Sequence, residues 1–415
     1  MTESWGRYPA AAHAAEIPIA WRSEARLPPQ RPVLAFGQGR SYGDVCLNDG
    51  GTLLRTGGLD RFIDFQAGVL RCEAGVTLRQ ILDFAVPRGW FLPVVPGTEQ
   101  VSVGGAIAND IHGKNHHRAG TFGGHVRRLE LLRSDGRVEC APGDPLFAAT
   151  VGGLGLTGLV TWAEIALMPV PGPAIQVESI PFAGLDQFFA LSDESDARSA
   201  YTVAWLDVLS ASHRGVFFRG DAIEGEARPP RLRASVPFDL PLVNGFTVRA
   251  FNAAYSAANR LAAGRKRVHY RPFFFPLDGV GRWNRLYGKR GLLQFQCVVP
   301  TRDGIRAVLD AAARLHAGSP ITVLKKFGDL PSPGMLSFPR PGFTVAIDLA
   351  NRGEETFAHY QRLEQLVMVA GGALYPAKDA RMSAESFARS YPRLAEFTPL
   401  VDPAFSSSFW RRVSR

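Results

Sequence analysis

The sequence predicts an α+β protein of two domains, and three observations carry that expectation. At 415 residues the chain exceeds what one ordinary core organises. Short strand-like runs alternate with helical stretches along its length. Three glycine-rich loops, Gly37–Asp44, Pro96–His117 and Gly152–Val160, punctuate the first part. With 46% hydrophobic and 20% charged residues, the composition is that of a globular protein and excludes wholesale disorder.

Taken in order, RPVLAFG, GTLLRT, RFIDF and VLRCEAG read as short strands ended by Gly or Asp. TLRQILDFAVPRG reads as a helix with Leu78, Ile81, Leu82 and Ala85 on one face, stopped by Pro87 and Gly89. VRRLELLRSDGRVEC is a hairpin turning at Ser134-Asp135-Gly136. Pro171-Gly172-Pro173 is a plausible linker, so domain boundaries are expected at 1–172 and 173–370, with 371–415 as a returning segment. In the second part AYTVAWLDVLS, HRGVFFRG, GLLQFQCVVP, ITVLKKFG and FTVAIDLA are strands. RDGIRAVLDAAARLHAG is a helix with Ile305, Val308, Leu309, Ala312 and Leu315 on one stripe. EETFAHYQRLEQLVMVAGG is another, with Phe357, Tyr360, Leu363, Leu366 and Val367 inward and a stop at Gly371-Gly372.

No apolar run reaches the roughly 18 residues of a membrane-spanning helix. The N-terminus lacks a basic stretch followed by a continuous apolar one, so no signal peptide is expected. A cytoplasmic chain, or one peripheral at the inner face of a membrane, follows as the expectation. The four cysteines, Cys46, Cys72, Cys140 and Cys297, are scattered without a CxxC and read as small buried or half-buried hydrophobes.

Glycine lets backbone N–H groups approach a phosphate or a ring closely, because no Cβ intervenes. GQGRSYG does not match GxGxxG, and GGLGLTG lacks the Lys-Ser/Thr of a P-loop, which disfavours both common nucleotide folds. Three such loops imply a large, extended ligand lying along backbone. The second loop also holds His112, His116 and His117, with His125 just beyond it. His112 and His116 have the i, i+4 spacing of a helical zinc pair, but Gly113 lies between them and no HExxH glutamate is present. No metal is expected, and His116, His117 and His125 read as hydrogen-bonding loop residues.

RSYGD, EAGVTLRQIL, PGTEQVSVGGAIANDIHGKNHH and TVGGLGLTG resemble the PCMH-type FAD-binding domain of the vanillyl-alcohol-oxidase class of flavoproteins. More narrowly, DIHGKNHH, FFFPLDGVGRWNRLYG, LLQFQ and YPAKDAR resemble the decaprenylphosphoryl-β-D-ribose 2′-oxidase family, over nearly the whole chain. The resemblance implies a PCMH-type FAD domain joined to an α+β substrate (cap) domain built on an antiparallel sheet. It implies that Gly37, Gly39, Arg40, Ser41, Tyr42, Gly43 and Asp44 wrap the FAD pyrophosphate with Gly97, Ser102, Val103, Gly104 and Gly105. Asn109 and His112 would line the flavin ring, Gly158 and Val160 the adenosine side, and Tyr375 would return to the flavin. Asp44 stands where many members of the wider class carry a flavin-linked histidine, so FAD is expected to be noncovalent.

The family lysine at the flavin falls on Lys378, expected to supply a cation at the ring's pyrimidine edge, with His112 and Tyr42 handling the proton. Gln294 and Gln296 alternate with Phe295 and so share a strand face, where two amides could bond sugar hydroxyls. Lys114, Trp205, Arg285 and Lys325 match family positions near the substrate pocket. Two departures are Ala346, at a family cysteine, and Phe275, where a histidine is expected.

Between Arg228 and Arg271 nine basic residues (Arg228, Arg231, Arg233, Arg249, Arg260, Arg265, Lys266, Arg267 and Arg271) are opposed by Asp239 alone. RAFNAAYSAANRLAAGRKR within it reads as an amphipathic helix with a cationic end, and 228–271 as a contact for an anionic membrane surface. No recognition motif accompanies the charge, so nucleic acid is not an expected partner. The leading expectation is an FAD-dependent oxidoreductase that oxidises the ribose 2′-hydroxyl of a polyprenyl-phosphate ribose. An NAD(P)H-dependent reductase partner would complete the epimerisation. The alternatives are an aldonolactone or alditol oxidase of a small sugar using O₂, and a flavin-binding partner protein without turnover.

Overall fold

The computed structural model describes residues 2–230 and 234–414. An eight-stranded antiparallel sheet dominates it. From one edge to the other its strands are Gly264–His269, Ala174–Phe182, Gly215–Ile223, Tyr201–Leu206, Thr322–Phe327, Gly342–Ala350, Leu292–Val299 and Ala373–Leu374. The first part of the chain builds two smaller sheets. Ala15–Pro18, Thr52–Arg55 and Val33–Phe36 pair in parallel, and Phe62–Gln66, Val69–Glu73, Leu159–Ala166, Val126–Arg133 and Gly136–Cys140 form an antiparallel five-stranded sheet. The fold is α+β, as the sequence predicts.

Period-two alternation decides the two faces of the large sheet. All eight residues of Leu292–Val299 are buried. Leu293, Phe295, Cys297 and Val299 join a core with Ile305, Leu309, Tyr360 and Leu363 of the helices Arg302–Arg314 and Glu354–Val369. Gln294 and Gln296 point the other way, toward the first part of the chain. The helix Leu78–Ala85 begins at a capping box between Thr77 and Gln80 and buries the four residues its periodicity predicts.

The chain's end returns to its beginning. Val33 N–H donates to Ala404 O at 2.8 Å. Arg412, on the final helix Ser408–Val413, forks onto Asp44 at 2.8 and 3.0 Å and reaches Asp379 at 2.8 Å. The cysteines are free, with Cys46 half-buried and the other three buried.

The basic segment departs from the expected helix. It forms a helix over Gly245–Leu261, capped by Asn244, and then an edge strand, Gly264–His269, that carries Arg265, Lys266 and Arg267. A charged edge strand resists pairing with a neighbour, which is a structural reason for the cationic run to leave the helix. Arg231 and Arg233 lie outside the described residues. The helix is also inverted in polarity. Val248, Asn252 and Ser256 are its buried face, while Phe246 (81% exposed), Phe251 and Leu261 (92% exposed) face solvent.

Candidate active site

A cavity of about 610 Å³ lies between the three glycine-rich loops and the open face of the large sheet. Its outer wall is mostly backbone. Ser102 caps the short helix Val103–Ala108 by accepting from Gly105 N–H, and this presents Gly104 and Gly105 to the cavity. A Cβ at Gly37 would strike the Ser102 hydroxyl, and Gly39 adopts a left-handed φ of 60°, so glycine is required at both. Arg40, Ser41 and Tyr42 continue the wall from the first loop, and Gly97, Asn109 and His112 from the second. Gly158 and Val160 close it from the third, and Tyr375 from the C-terminal part. Gly43, Asp44 and Val103 stand behind this lining. Val103 is fully buried core, and Asp44 is held by Arg412.

This wall fits FAD. It offers closely approachable backbone, and two buried polar atoms in it, Arg40 Nε and Asn109 Oδ1, have no protein partner. An arginine in that state, its guanidinium 4.4 Å from the Trp5 ring centroid, suits a phosphate group. Tyr375 O–H donates to Asn109 O at 2.9 Å and stacks on Phe338, fixing the asparagine against the ring-binding end.

Sheet register builds the inner end. Gln294 pairs with Asp348 across adjacent strands, Gln296 with Ala346, and Lys325 with Thr344. Gln294 Nε2 donates to Asp348, while Gln296 Nε2 lies 3.1 Å from His112 Nε2 and 3.3 Å from Thr344 Oγ1. Lys325 Nζ sits 3.0 Å from His112 Nδ1. A neutral imidazole accepts at one nitrogen only. Both contacts are satisfied when Lys325 is an uncharged amine that accepts from Nδ1–H. When Lys325 is charged, Gln296 must turn its oxygen to Nε2. Lys378 Nζ lies 3.9 Å from the Tyr42 ring centroid, within cation–π range.

Burial sets the charges here. It holds His112 well below its ordinary value, reinforced by repulsion from Lys325, His116 and Lys378. It pushes Lys325 down to about 7, helped by Lys114 and Lys378. Lys378 is lowered by burial and partly restored by Asp348. Tyr42 is raised well above a free phenol, by burial and then by Asp348, so its hydroxyl keeps its proton.

Tyr42, His112, Gln294, Gln296, Lys325, Ala346 and Lys378 therefore share one cavity. Lys114, Trp205 and Arg285 lie outside its lining. Lys114 Nζ donates to Phe273 O against the Phe273 ring, and burial alone pushes it down to about 7. Trp205 extends the Gln296–Ala346–Val323 row but is buried against Tyr255, donating to Pro320 O at 3.0 Å. Arg285 donates to Pro237 O. Phe275 is buried with Phe274 and lines nothing. His117 and His125 bond carbonyls as expected, but His116 is buried against Phe327 with neither ring nitrogen partnered. No metal-ligating group of three His, Cys, Asp or Glu occurs among the described residues. Sequence reasoning missed Asp348, although a lone acid in GFTVAIDLA was a signal. It also missed Asp278, which ties the second loop to the 276–279 turn through Thr98 Oγ1 and Glu99 N–H.

Comparison with known proteins agrees with this geometry. Residues 10–141 match the family described as FAD binding domain. The chain is 38% identical to decaprenylphosphoryl-β-D-ribose oxidase of Mycolicibacterium smegmatis, covering 92% of this chain and 89% of that protein. It is 35% identical to an "uncharacterized protein in mprA 5′region" of Streptomyces coelicolor, over 81% of this chain and all of the relative. A D-lactate dehydrogenase of Archaeoglobus fulgidus is 32% identical over 36% of this chain and 35% of its own length.

Proposed function

The chain belongs to the decaprenylphosphoryl-β-D-ribose oxidase family, whose members are FAD-dependent oxidoreductases, and on that premise we propose that it oxidises the ribose 2′-hydroxyl of a polyprenyl-phosphate ribose to a ketone. The observation that carries the reading is the convergence of two amides, a buried cation and a neutral imidazole (Gln294, Gln296, Lys378 and His112) at one end of a glycine-walled cavity.

FAD, when bound, supplies the two-electron acceptor for the carbinol C–H bond. The protein's residues supply the rest. The backbone of Gly97, Gly104 and Gly105 and the Arg40 guanidinium hold the cofactor. Gln294 and Gln296 orient the sugar through its hydroxyls. His112, kept neutral by burial, accepts the hydroxyl proton at Nε2 when the sugar hydroxyl takes the place of the Gln296 amide there, and passes its Nδ1 proton to the uncharged Lys325 amine, 3.0 Å away. Tyr42 stays protonated and donates to the sugar oxygen. Lys378 would supply a positive charge to the flavin end of the cavity. Asp44, engaged by Arg412, supports noncovalent FAD.

The substrate's lipid gives the inverted helix a role. In this reading the exposed Phe246, Phe251 and Leu261, with Arg249, Arg260 and the Gly264–His269 strand, rest on an anionic membrane surface. No Asp or Glu occurs from 240 to 277 to oppose that contact. No helix among the described residues is long and apolar enough to cross a membrane. The product ketone would pass to an NAD(P)H-dependent reductase partner. Anaerobic mixing with a short-chain prenylphosphoryl ribose should bleach the oxidised flavin band near ~450 nm. Bleaching by free sugars or aldonolactones alone would favour a soluble-sugar oxidase, and no bleaching by either would defeat the enzymatic reading.

A further inference from the structure

A strap from the second part of the chain crosses the outer edge of the cavity and grips both of its glycine loops. It runs through the turn Pro276–Gly279, the short strand Val280–Gly281 and the turn Trp283–Leu286. Leu277, Asp278, Val280, Arg282 and Trp283 line the cavity, and Val280 and Arg282 are exposed as well, so the strap forms the rim. At one end it meets the first loop through Trp5. Asn284 Nδ2 donates to Trp5 O at 2.9 Å, and the Trp283 ring lies 5.6 Å from that of Trp5. Trp5 N–H in turn donates to Ser41 O at 2.8 Å, and its ring carries the Arg40 guanidinium. At the other end Asp278 meets the second loop. Its Oδ1 accepts from the Thr98 hydroxyl at 2.7 Å and its Oδ2 from Glu99 N–H at 2.8 Å.

We propose that Asp278 positions the second glycine loop against FAD and thereby sets how fast the cofactor leaves. The inference rests on FAD being held noncovalently and is independent of which sugar is oxidised. The hydrogen bonding is directional. Thr98 Oγ1 accepts from Gln100 N–H at 3.2 Å, which leaves the hydroxyl hydrogen for Asp278. A carboxylate only accepts, so its two oxygens answer two donors on consecutive residues. Bonds to an ionised acceptor are roughly twice as strong as neutral ones.

Thr98 and Glu99 directly follow Pro96 and Gly97, which line the cavity. From the far side Arg79 N–H holds Glu99 O at 2.9 Å, and Arg271 Nε holds the Glu99 carboxylate at 2.9 Å. The loop beyond Glu99 is therefore fixed without Asp278. Gly97, with open space where a side chain would stand, takes its place through Thr98. Loss of Asp278 frees the part of the cofactor wall nearest the rim and leaves the rest of the loop standing.

The test is the rate of FAD release from the FAD-loaded full chain on dilution, read as the rise of free-flavin fluorescence. Asp278→Ala removes both bonds and should speed release by about tenfold or more. Asp278→Asn can keep both, with its oxygen toward Glu99 N–H and its NH₂ toward Thr98 Oγ1, and should stay within about threefold of wild type. Thr98→Val removes one bond and should speed release by about threefold, yet add nothing to Asp278→Ala, because both act through one contact. His213→Ala breaks the pairing of His213 with Asp310 at 2.7 Å, outside the cavity lining, and should leave release unchanged. Release from Asp278→Ala at the wild-type rate overturns the proposal. So does a Thr98→Val effect that persists in full in the double variant, or a His213→Ala variant that loses FAD as fast as Asp278→Ala. If Asp278→Ala takes up no FAD, Thr98→Val decides, and a wild-type rate for it overturns the proposal. FAD that stays with acid-precipitated wild type would overturn it separately, by defeating the noncovalent reading.

Discussion

Replacing Arg412 with Met should loosen the cofactor loop from the far end of the chain. Arg412 donates through Nε and Nη2 to both oxygens of Asp44 and through Nη2 to Asp379 at 2.8 Å. Asp379 is otherwise held by Tyr360 O–H at 2.6 Å and by the N–H groups of Arg381 and Met382. Both carboxylates are nearly inaccessible. The substitution leaves two adjacent buried acids without their shared cation, a loss of about 3–5 kcal/mol. The damage is functional as well, because Asp44 ends the loop of Arg40 and Tyr42, and Asp379 follows Lys378. Burial and Asp379 already push Asp44 up against the pull of Arg412. Without Arg412 its folded value rises further above the unfolded one. A folded value above the unfolded one means that the folded state binds the extra proton, so stability falls as pH rises through that window. Arg412→Met should therefore be hurt more at pH 8 than at pH 5, with Arg412→Lys intermediate because it keeps charge but not the fork. Urea unfolding followed by circular dichroism, with FAD release by fluorescence, reads both effects. A variant within about 1 kcal/mol of wild type that retains FAD equally would refute the reasoning, since a broken buried pair cannot be that mild.

Lys378→Met should keep the flavin band but slow anaerobic reduction by ~100-fold or more, the cost of one preorganised charge; near-normal reduction would remove it from the mechanism. Lys114→Met should raise stability more at pH 6 than at pH 9. With Lys114 held to about 7 when folded, the unfolded chain binds more protons above that value, so the wild-type burden eases as pH rises and is fully felt below it. Equal gains at both values would show that Lys114 is not desolvated. Phe246→Asp with Leu261→Asp should reduce flotation with vesicles containing phosphatidylglycerol by about tenfold or more. Equal binding of wild type to neutral and anionic vesicles would sink the electrostatic contact.

Much of the fold was legible because local pattern and tertiary role agree. Leu78, Ile81, Leu82 and Ala85 have helical spacing and a sheet to cover, and the hairpin at Ser134 has its turn residues in place. The glycine loops announced a backbone-walled site because glycine there answers a steric demand, as Gly37 shows against Ser102. The helix Gly245–Leu261 was legible as a helix but its cationic end was not, since Arg265, Lys266 and Arg267 leave it for an edge strand, and its buried face is set by Asn252, bonded to Asp207 at 2.8 Å. Lys114 was expected near the substrate pocket from the family position it matches, but its flexible stem reaches Phe273 O. His116 gave no hint of its apolar surroundings. Such side chains are placed by residues distant in sequence, and no local pattern encodes them.

The large sheet shows why polar burial, more than apolar packing, points to function here. On one face of Leu292–Val299 every residue meets helices and obeys ordinary core rules. On the other, Gln294 and Gln296 are as deeply buried, yet each gains from the protein only part of the hydrogen bonding its amide can make. The same holds across the cavity, where Arg40 Nε and Asn109 Oδ1 have no protein partner. An unpaired buried polar group costs about 1–3 kcal/mol, so a chain that only had to fold would fill these positions with apolar side chains. The incomplete groups sit on opposite walls of one cavity, and on the proposed function their deficits would be met together, by cofactor on the glycine side and sugar on the sheet side. The protein is then most completely bonded when both are bound, which is the condition for the reaction.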